Sequence, residues 1–158
     1  MRAQRPAFAL IVLSIAALAS AATAKDCYGV LQRPLVAGGF TDNSSDCEGT
    51  NDIKYAGEVS VGELRYKIYS LLYTVPHAGG FSSGGQRILV FRYHDNRLVY
   101  RGSYHLDSLV DHKVWVKGSR VYIDASAKHG NNIQFTKDGP PVQAFLDQYI
   151  AGFDEAGF

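Results

Sequence analysis

Residues 87–105 read RILVFRYHDNRLVYRGSYH, and this stretch decides the fold class. Two runs of aromatic and aliphatic residues flank Asp95-Asn96, a pair that tolerates the positive φ of a two-residue turn. The β-hairpin that this predicts pairs large side chains across its strands, Tyr93 with Leu98 and Phe91 with Tyr100. The same register places the basic side chains on the opposite face: Arg92, His94, Arg97 and Arg101.

The residues on either side continue the strand pattern. Upstream, Leu64, Tyr66, Ile68 and Leu72 alternate with Arg65, Lys67 and Tyr69, as in a strand with one buried face. Downstream, a second hairpin is predicted over Lys113–Asp124 about Gly118-Ser119, where glycine supplies the positive φ of a type II′ turn. Its predicted pairs are Val116 with Val121, Trp115 with Tyr122, and Val114 with Ile123. Residues Ile133–Phe135 add a short strand.

The C-terminal region has a different period. After Asp138-Gly139-Pro140-Pro141, apolar residues recur at helical spacing: Val142, Phe145, Leu146, Tyr149 and Ile150. We therefore predict a mainly β protein, an antiparallel meander of about five to seven strands in a sandwich or small open barrel, with one C-terminal amphipathic helix.

The first 24 residues have the pattern of a secretory signal peptide. Arg2 and Arg5 precede a short apolar run, residues 7–18, and Ala22-Thr23-Ala24 forms a small-residue cleavage site. Cleavage after Ala24 would export the chain to the periplasm or the medium. We predict a leader over 1–24, an arm over 25–52 and a β-rich domain over 53–158, with the arm belonging to that one domain.

The charge of the exported chain excludes some partners. The leader holds two of the 16 basic residues and no acidic residue, so the remainder has 14 basic and 15 acidic side chains. This near-neutral balance favours neither nucleic acid nor anionic lipid as a partner. No segment after the leader is apolar for long enough to cross a membrane.

The arm is rich in Gly, Asn, Ser and Asp and contains both cysteines, Cys27 and Cys47. In an oxidising compartment a sparse, even cysteine count predicts a disulfide, here closing a loop within the arm. Residues Asn43-Ser44-Ser45 also match the N-glycosylation pattern, which is a weak motif.

A ten-residue Gly/Ser-rich connection, His77–Gln86, is predicted between two strands. Long loops on a rigid sheet often bind ligands, so we name five candidate contact residues: His77, Phe81, Ser82, Ser83 and Gln86. Gly80-Phe81-Ser82-Ser83-Gly84 also matches G-x-S-x-G, but a nucleophile elbow needs a helix after the serine and a strand is predicted there. The loop interpretation is therefore preferred to a serine hydrolase.

Two further groups of residues could carry function. Two imidazoles and two carboxylates lie within eight residues, a weak candidate metal site whose alternative is a polar connection: His105, Asp107, Asp111 and His112. Aromatic side chains could form a ligand-stacking face near Lys67 and Arg65, or be core material of a two-layer fold: Tyr69, Tyr73, Trp115 and Tyr122.

The sequence thus favours an exported, non-enzymatic binding protein, for example an inhibitor or immunity-type partner of another exported or envelope protein. No cofactor is predicted. The alternatives are an exported hydrolase, through Ser82 or through a metal held by His105, Asp107 and His112, and an envelope sugar- or lipid-binding module.

Overall fold

The structure, a computed structural model, contains nine strands and one short helix in the residues it describes. These residues are 27–40, 50–76, 80, 82–106, 111–124, 131–146 and 149–157. The helix α1 spans Gln32–Ala37 and follows a 3₁₀ turn at Gly29–Leu31. The strands are β1 (Thr50–Val61), β2 (Leu64–Pro76), β3 (Ser82–His94), β4 (Arg97–Leu106), β5 (Val114–Lys117), β6 (Arg120–Ile123), β7 (Asn132–Gln134), β8 (Gln143–Leu146) and β9 (Tyr149–Glu155).

Six strands form a curled half-barrel sheet in the order β1-β2-β3-β4-β9-β8, and three form a small sheet in the order β5-β6-β7. The mainly β, antiparallel prediction is confirmed. The connectivity is more than a simple meander, since the chain leaves the large sheet after β4, builds the small sheet and returns to it as β8 and β9. Strand β5 lies beside β1 and β7 beside β8, so the small sheet stands between the two edges of the large one.

Both predicted hairpins are present in the predicted register. Asp95 and Asn96 have φ of 47° and 59°, and Gly118 has φ of 63°. The observed cross-strand pairs include Tyr93 with Leu98, Phe91 with Tyr100, Trp115 with Tyr122 and Val116 with Val121. Turn chemistry and burial thus agree at these sites, which is the condition under which register can be predicted from sequence.

The two sheets enclose an apolar core, which we call the inner core. Its buried members are Val59, Tyr66, Ile68, Ile88, Val90, Tyr104, Leu106, Val121, Ile123, Ile133, Phe135, Ala144, Leu146 and Ala151. Burial raises the pKa of the Tyr104 phenol, whose hydroxyl donates to the main-chain carbonyl of Pro141 at 2.5 Å. The hydroxyl thus keeps a partner inside the protein and ties the C-terminal segment to β4.

A second apolar layer covers the outer face of the large sheet. Leu31 and Leu35, from the 3₁₀ turn and α1, pack against Leu71, Leu89 and Phe91 of the sheet. Parts of β2 and β3 are therefore buried on both faces, as in the two-layer alternative that the aromatic content suggested.

The predicted C-terminal helix is wrong. Residues 143–146 and 149–155 form strands β8 and β9, and β9 pairs with β4. Ala144 and Leu146 point into the inner core, whereas Phe145 is 74% exposed. The inward side chains include the small Ala144 and Ala151, so the strand period was weak in the sequence, and pairing with β4 overrode the helical spacing.

The structure describes only part of the predicted arm. A 3₁₀ turn and α1 occupy its first part, and β1 begins at Thr50. Cys47 and Asn43-Ser44-Ser45 lie outside the described residues, as do the leader residues 1–24, so the disulfide with Cys27 and the other two assignments stay predictions. No helix in the described part of the chain has the length and apolar composition of a membrane span.

Gln86 fixes the segment that leads into the small sheet. This side chain is fully buried, and its amide nitrogen donates to Ser70 Oγ at 2.7 Å and to the His112 carbonyl at 2.6 Å. Its amide oxygen accepts from the His112 N–H at 3.0 Å. One side chain thereby satisfies both main-chain groups of His112 and fixes the segment before β5 against the large sheet.

Replacing this amide is expected to destabilise the fold. The Gln86→Ala substitution leaves the His112 main-chain groups without their partner, so we expect the free energy of unfolding to fall by about 2–4 kcal/mol. Urea denaturation measures the change. Gln143→Ala, at an exposed strand position, is the matched control and should change stability by less than about 0.5 kcal/mol. Equal effects of the two substitutions would contradict a role for Gln86 in fixing the His112 main chain.

A second prediction concerns Gly102, where β4 meets β9. Its φ is 143°, and a Cβ there would lie 2.6 Å from the Phe153 ring and in collision with the Asp154 carbonyl oxygen. We expect Gly102→Ala to lower the free energy of unfolding by more than about 2 kcal/mol, because both the backbone angle and the contact are unfavourable. Thermal unfolding tests this. Gly152→Ala, whose Cβ meets no atom within 4 Å, should be tolerated.

Candidate functional site

The predicted ten-residue loop is shorter than expected. Strand β2 extends to Pro76 and β3 begins at Ser82, so the connection comprises residues 77–81. Ser83 and Gln86 lie within β3, and Gln86 is buried, with its amide bonded to Ser70 and His112 as described above. His77 and Phe81 lie outside the described residues, so a binding role for this connection stays a prediction.

The G-x-S-x-G match lacks the backbone of a nucleophile elbow. Ser82 is the first residue of β3, and the strand continues for 13 residues without a helix. The turn that would lift a serine hydroxyl above a sheet, and the helix N-terminus beside it, are absent from this described segment.

The three metal candidates that the structure describes each lie against another group. His105 Nε2 lies 3.0 Å from the Tyr73 hydroxyl, and His112 Nδ1 lies 3.1 Å from the Asp124 carbonyl. Asp111 accepts from the Lys54 ammonium at 2.6 Å. Asp107 is outside the described residues, and those that are described contain no group of three His, Cys, Asp or Glu side chains suited to a metal.

The predicted aromatic face is divided between the two sheets. Tyr69 and Tyr73 pack with the outer apolar layer of the large sheet. Trp115 and Tyr122 stack on each other in the small sheet, with ring centroids 5.5 Å apart. The four side chains are thus distributed over both sheets.

A groove that the sequence did not predict runs between α1 and β4. Val30, Arg33, Pro34, Ala37 and Gly38 form one side and Arg97, Leu98, Val99 and Tyr100 the other, around a volume of about 530 Å³. We call this the arginine groove. Its volume falls in the range typical of small-molecule and cofactor sites.

The local fold explains how the groove forms. The β3–β4 hairpin extends beyond β9, which pairs with β4 only at Gly102, Ser103 and Tyr104. Helix α1 packs across the hairpin, and its C-terminal Gly38 lies so close that a Cβ there would be 2.8 Å from the Tyr100 ring. Glycine is needed at this contact for α1 to approach the strand.

Positive charge is concentrated at the groove. Arg33 and Arg97 line it, and Val99 also lines a second cleft of about 240 Å³ together with Arg92, His94 and Arg101. Arg101 lies 3.6 Å from Glu155, an exposed pair of little strength. Arg33, Arg92 and Arg97 form no ion pair within the described residues. Their guanidinium groups are thus available to a carboxylate or phosphate.

A third cleft carries mixed charge. It has a volume of about 240 Å³ and contains Arg87, Asp154 and Glu155 beside Gly39 and Phe40. The Arg87 guanidinium lies 5.8 Å from the Phe40 ring centroid, 3.3 Å from Ser103 Oγ and 3.5 Å from Asp154. Because two carboxylates share this cleft, it is less suited to an anion than the arginine groove.

Part of this site could be predicted from the sequence. The hairpin register placed Arg92, His94, Arg97 and Arg101 on the face away from the apolar pairs, but the near-neutral net charge hid the cluster. Arg33 is distant in sequence, and only the packing of α1 on the sheet brings it near Arg97.

Comparison with known protein families, with characterised proteins and with solved structures gave no match.

Proposed function

We propose that this chain is an exported, non-enzymatic binding protein that contacts another exported or envelope protein through the arginine groove. The leader supports export, and an inhibitor or immunity-type role fits the size and compartment. The observation that carries the proposal is that Arg33 of α1 and Arg97 of β4 line the same groove, together with the apolar residues Val30, Leu98 and Val99. Arginine beside apolar groups is typical of the energetically dominant part of protein interfaces.

The chemistry of the groove favours binding. Guanidinium groups stay protonated at physiological pH and therefore serve as fixed charges. Carboxylates form bidentate pairs with them, so the partner surface is expected to be acidic. The exposed valine at the groove, Val30, is 90% exposed and would be covered by such a partner.

One further observation favours a second candidate, a sugar-binding role. On the outer face, the Lys67 ammonium lies 5.8 Å from the Tyr55 ring centroid and 5.1 Å from that of Tyr93. These tyrosines are 55% and 44% exposed. A hydrogen bond with Tyr93 raises the pKa of Lys67, which keeps the ammonium charged. Exposed rings around a cation suit stacking on an acidic sugar.

Site-specific photocrosslinking tests the protein-binding proposal. A photoreactive residue at Val30 of the full chain, expressed in its own host, should form one discrete crosslinked product in the exported fraction. The same residue at Val142, which is 77% exposed on the C-terminal segment, is the matched control and should not form that product. A product common to both positions, or none at Val30, would contradict the proposal.

Charge reversal should separate specific from general attraction. Arg33→Glu with Arg97→Glu is expected to reduce the Val30 crosslinked product by about tenfold or more, because complementary charges at the groove become repulsive. The pair Arg65→Glu and Arg120→Glu changes the net charge equally but lies outside the groove, and it should leave the yield unchanged. Equal losses would indicate nonspecific electrostatic attraction instead.

A further inference from the structure

Strand β4 has one edge that is only partly paired within the described residues. Strand β3 pairs with β4 from Arg97 to Leu106 except at a bulge at Arg101, whereas β9 covers the other edge only from Gly102 to Tyr104. Ala156 adds one hydrogen bond, from its N–H to the Arg101 carbonyl at 3.0 Å. The portion of this edge that precedes Arg101 forms a wall of the arginine groove.

The main-chain groups of Leu98 face this edge. In an antiparallel pair, residues that bond to the partner strand alternate with residues whose N–H and C=O point away. His94 and Arg97 close the two-residue turn as a bonded pair, so Leu98 directs both groups away from β3 and toward the groove. Within the described residues these two groups have no hydrogen-bond partner.

The groove has the shape that an added strand requires. It is bounded by α1 on one side and by the β4 edge on the other, and four residues, Arg97–Tyr100, line the strand side. Extended chain of that length spans about 10 Å. A helix facing an open strand edge is an arrangement into which peptides insert by strand addition.

We propose that an extended, acidic segment of the partner binds here as an additional strand, bonded through its main chain to Leu98. This inference rests on the proposed function and specifies its mode. Main-chain bonds to Leu98 supply register, and Arg33 and Arg97 select carboxylate side chains at the two sides of the groove.

The charges argue against a second copy of this chain as the occupant. Two β4 edges paired with each other would bring the arginines of both copies into the same groove. Like charges that face each other across a strand pair are destabilising. An acidic partner strand replaces that repulsion by attraction, and it also protects an edge that would otherwise be open to pairing.

Amide hydrogen exchange with a defined peptide tests the mode. The probe is a capped pentapeptide, Val-Glu-Glu-Glu-Val, whose successive glutamates point to both faces of an extended strand, added up to the millimolar range to the purified full chain. We expect exchange of the Leu98 amide to slow by about tenfold or more at saturation, since the amide becomes a bonded donor. Methylation of the peptide nitrogens should weaken binding by about tenfold or more, because the added strand then loses its donors. A lysine–valine peptide should not bind.

A chain variant gives an independent measurement. Leu98→Pro deletes the outward N–H while leaving the bonds to β3, a position where an edge strand tolerates proline. It should abolish peptide binding with an unchanged circular dichroism spectrum. If the variant fails to fold, the methylated peptide on the unaltered chain decides the question.

The outcomes are distinguishable. Peptide binding without slowed exchange at Leu98, equal binding of the methylated peptide, or no peptide binding would each overturn strand addition. Slowed exchange on raising protein concentration alone would assign the edge to a second copy and also overturn it. None of these results alters the Val30 crosslink, whose loss would instead overturn the proposed function.

Discussion

The pairing of β9 with only three residues of β4 is the constraint on which the remaining structure depends. This short ladder carries the C-terminal hairpin back to the large sheet and completes the wall of the inner core. It needs Gly102, whose backbone angle and close contact with Phe153 exclude a side chain. The same ladder does not extend to the hairpin turn. The part of β4 that borders the groove is therefore not covered by β9.

Two apolar layers stabilise the fold. The inner core joins the large and small sheets, and Gln86 fixes the connection between them by satisfying both main-chain groups of His112. The outer layer seats α1 on the sheet through Leu31 and Leu35. Burial of such side chains contributes about 1.5–3 kcal/mol each before entropy is deducted, and this stabilises the position of α1 on the sheet.

The electrostatics follow from that packing. A chain with nearly balanced charge carries a local excess of arginine, because the hairpin directs several basic side chains to one end and α1 adds Arg33. The electrostatic field at a cleft depends on the local arrangement of charges, so a near-neutral net charge is compatible with a groove lined by two arginines.

The sequence by itself determined the β class, both hairpins and their registers, because turn residues and alternating side chains are local signals that agreed with burial. It also pointed to helix where the chain forms β8 and β9, since the small inward residues Ala144 and Ala151 left no strand period to read. The groove could not be predicted from local patterns in the sequence. Arg33 and Arg97 are 64 positions apart in the chain, and only the seating of α1 against an incompletely paired strand brings them together, because tertiary packing and not spacing along the chain decides which charges share a cleft.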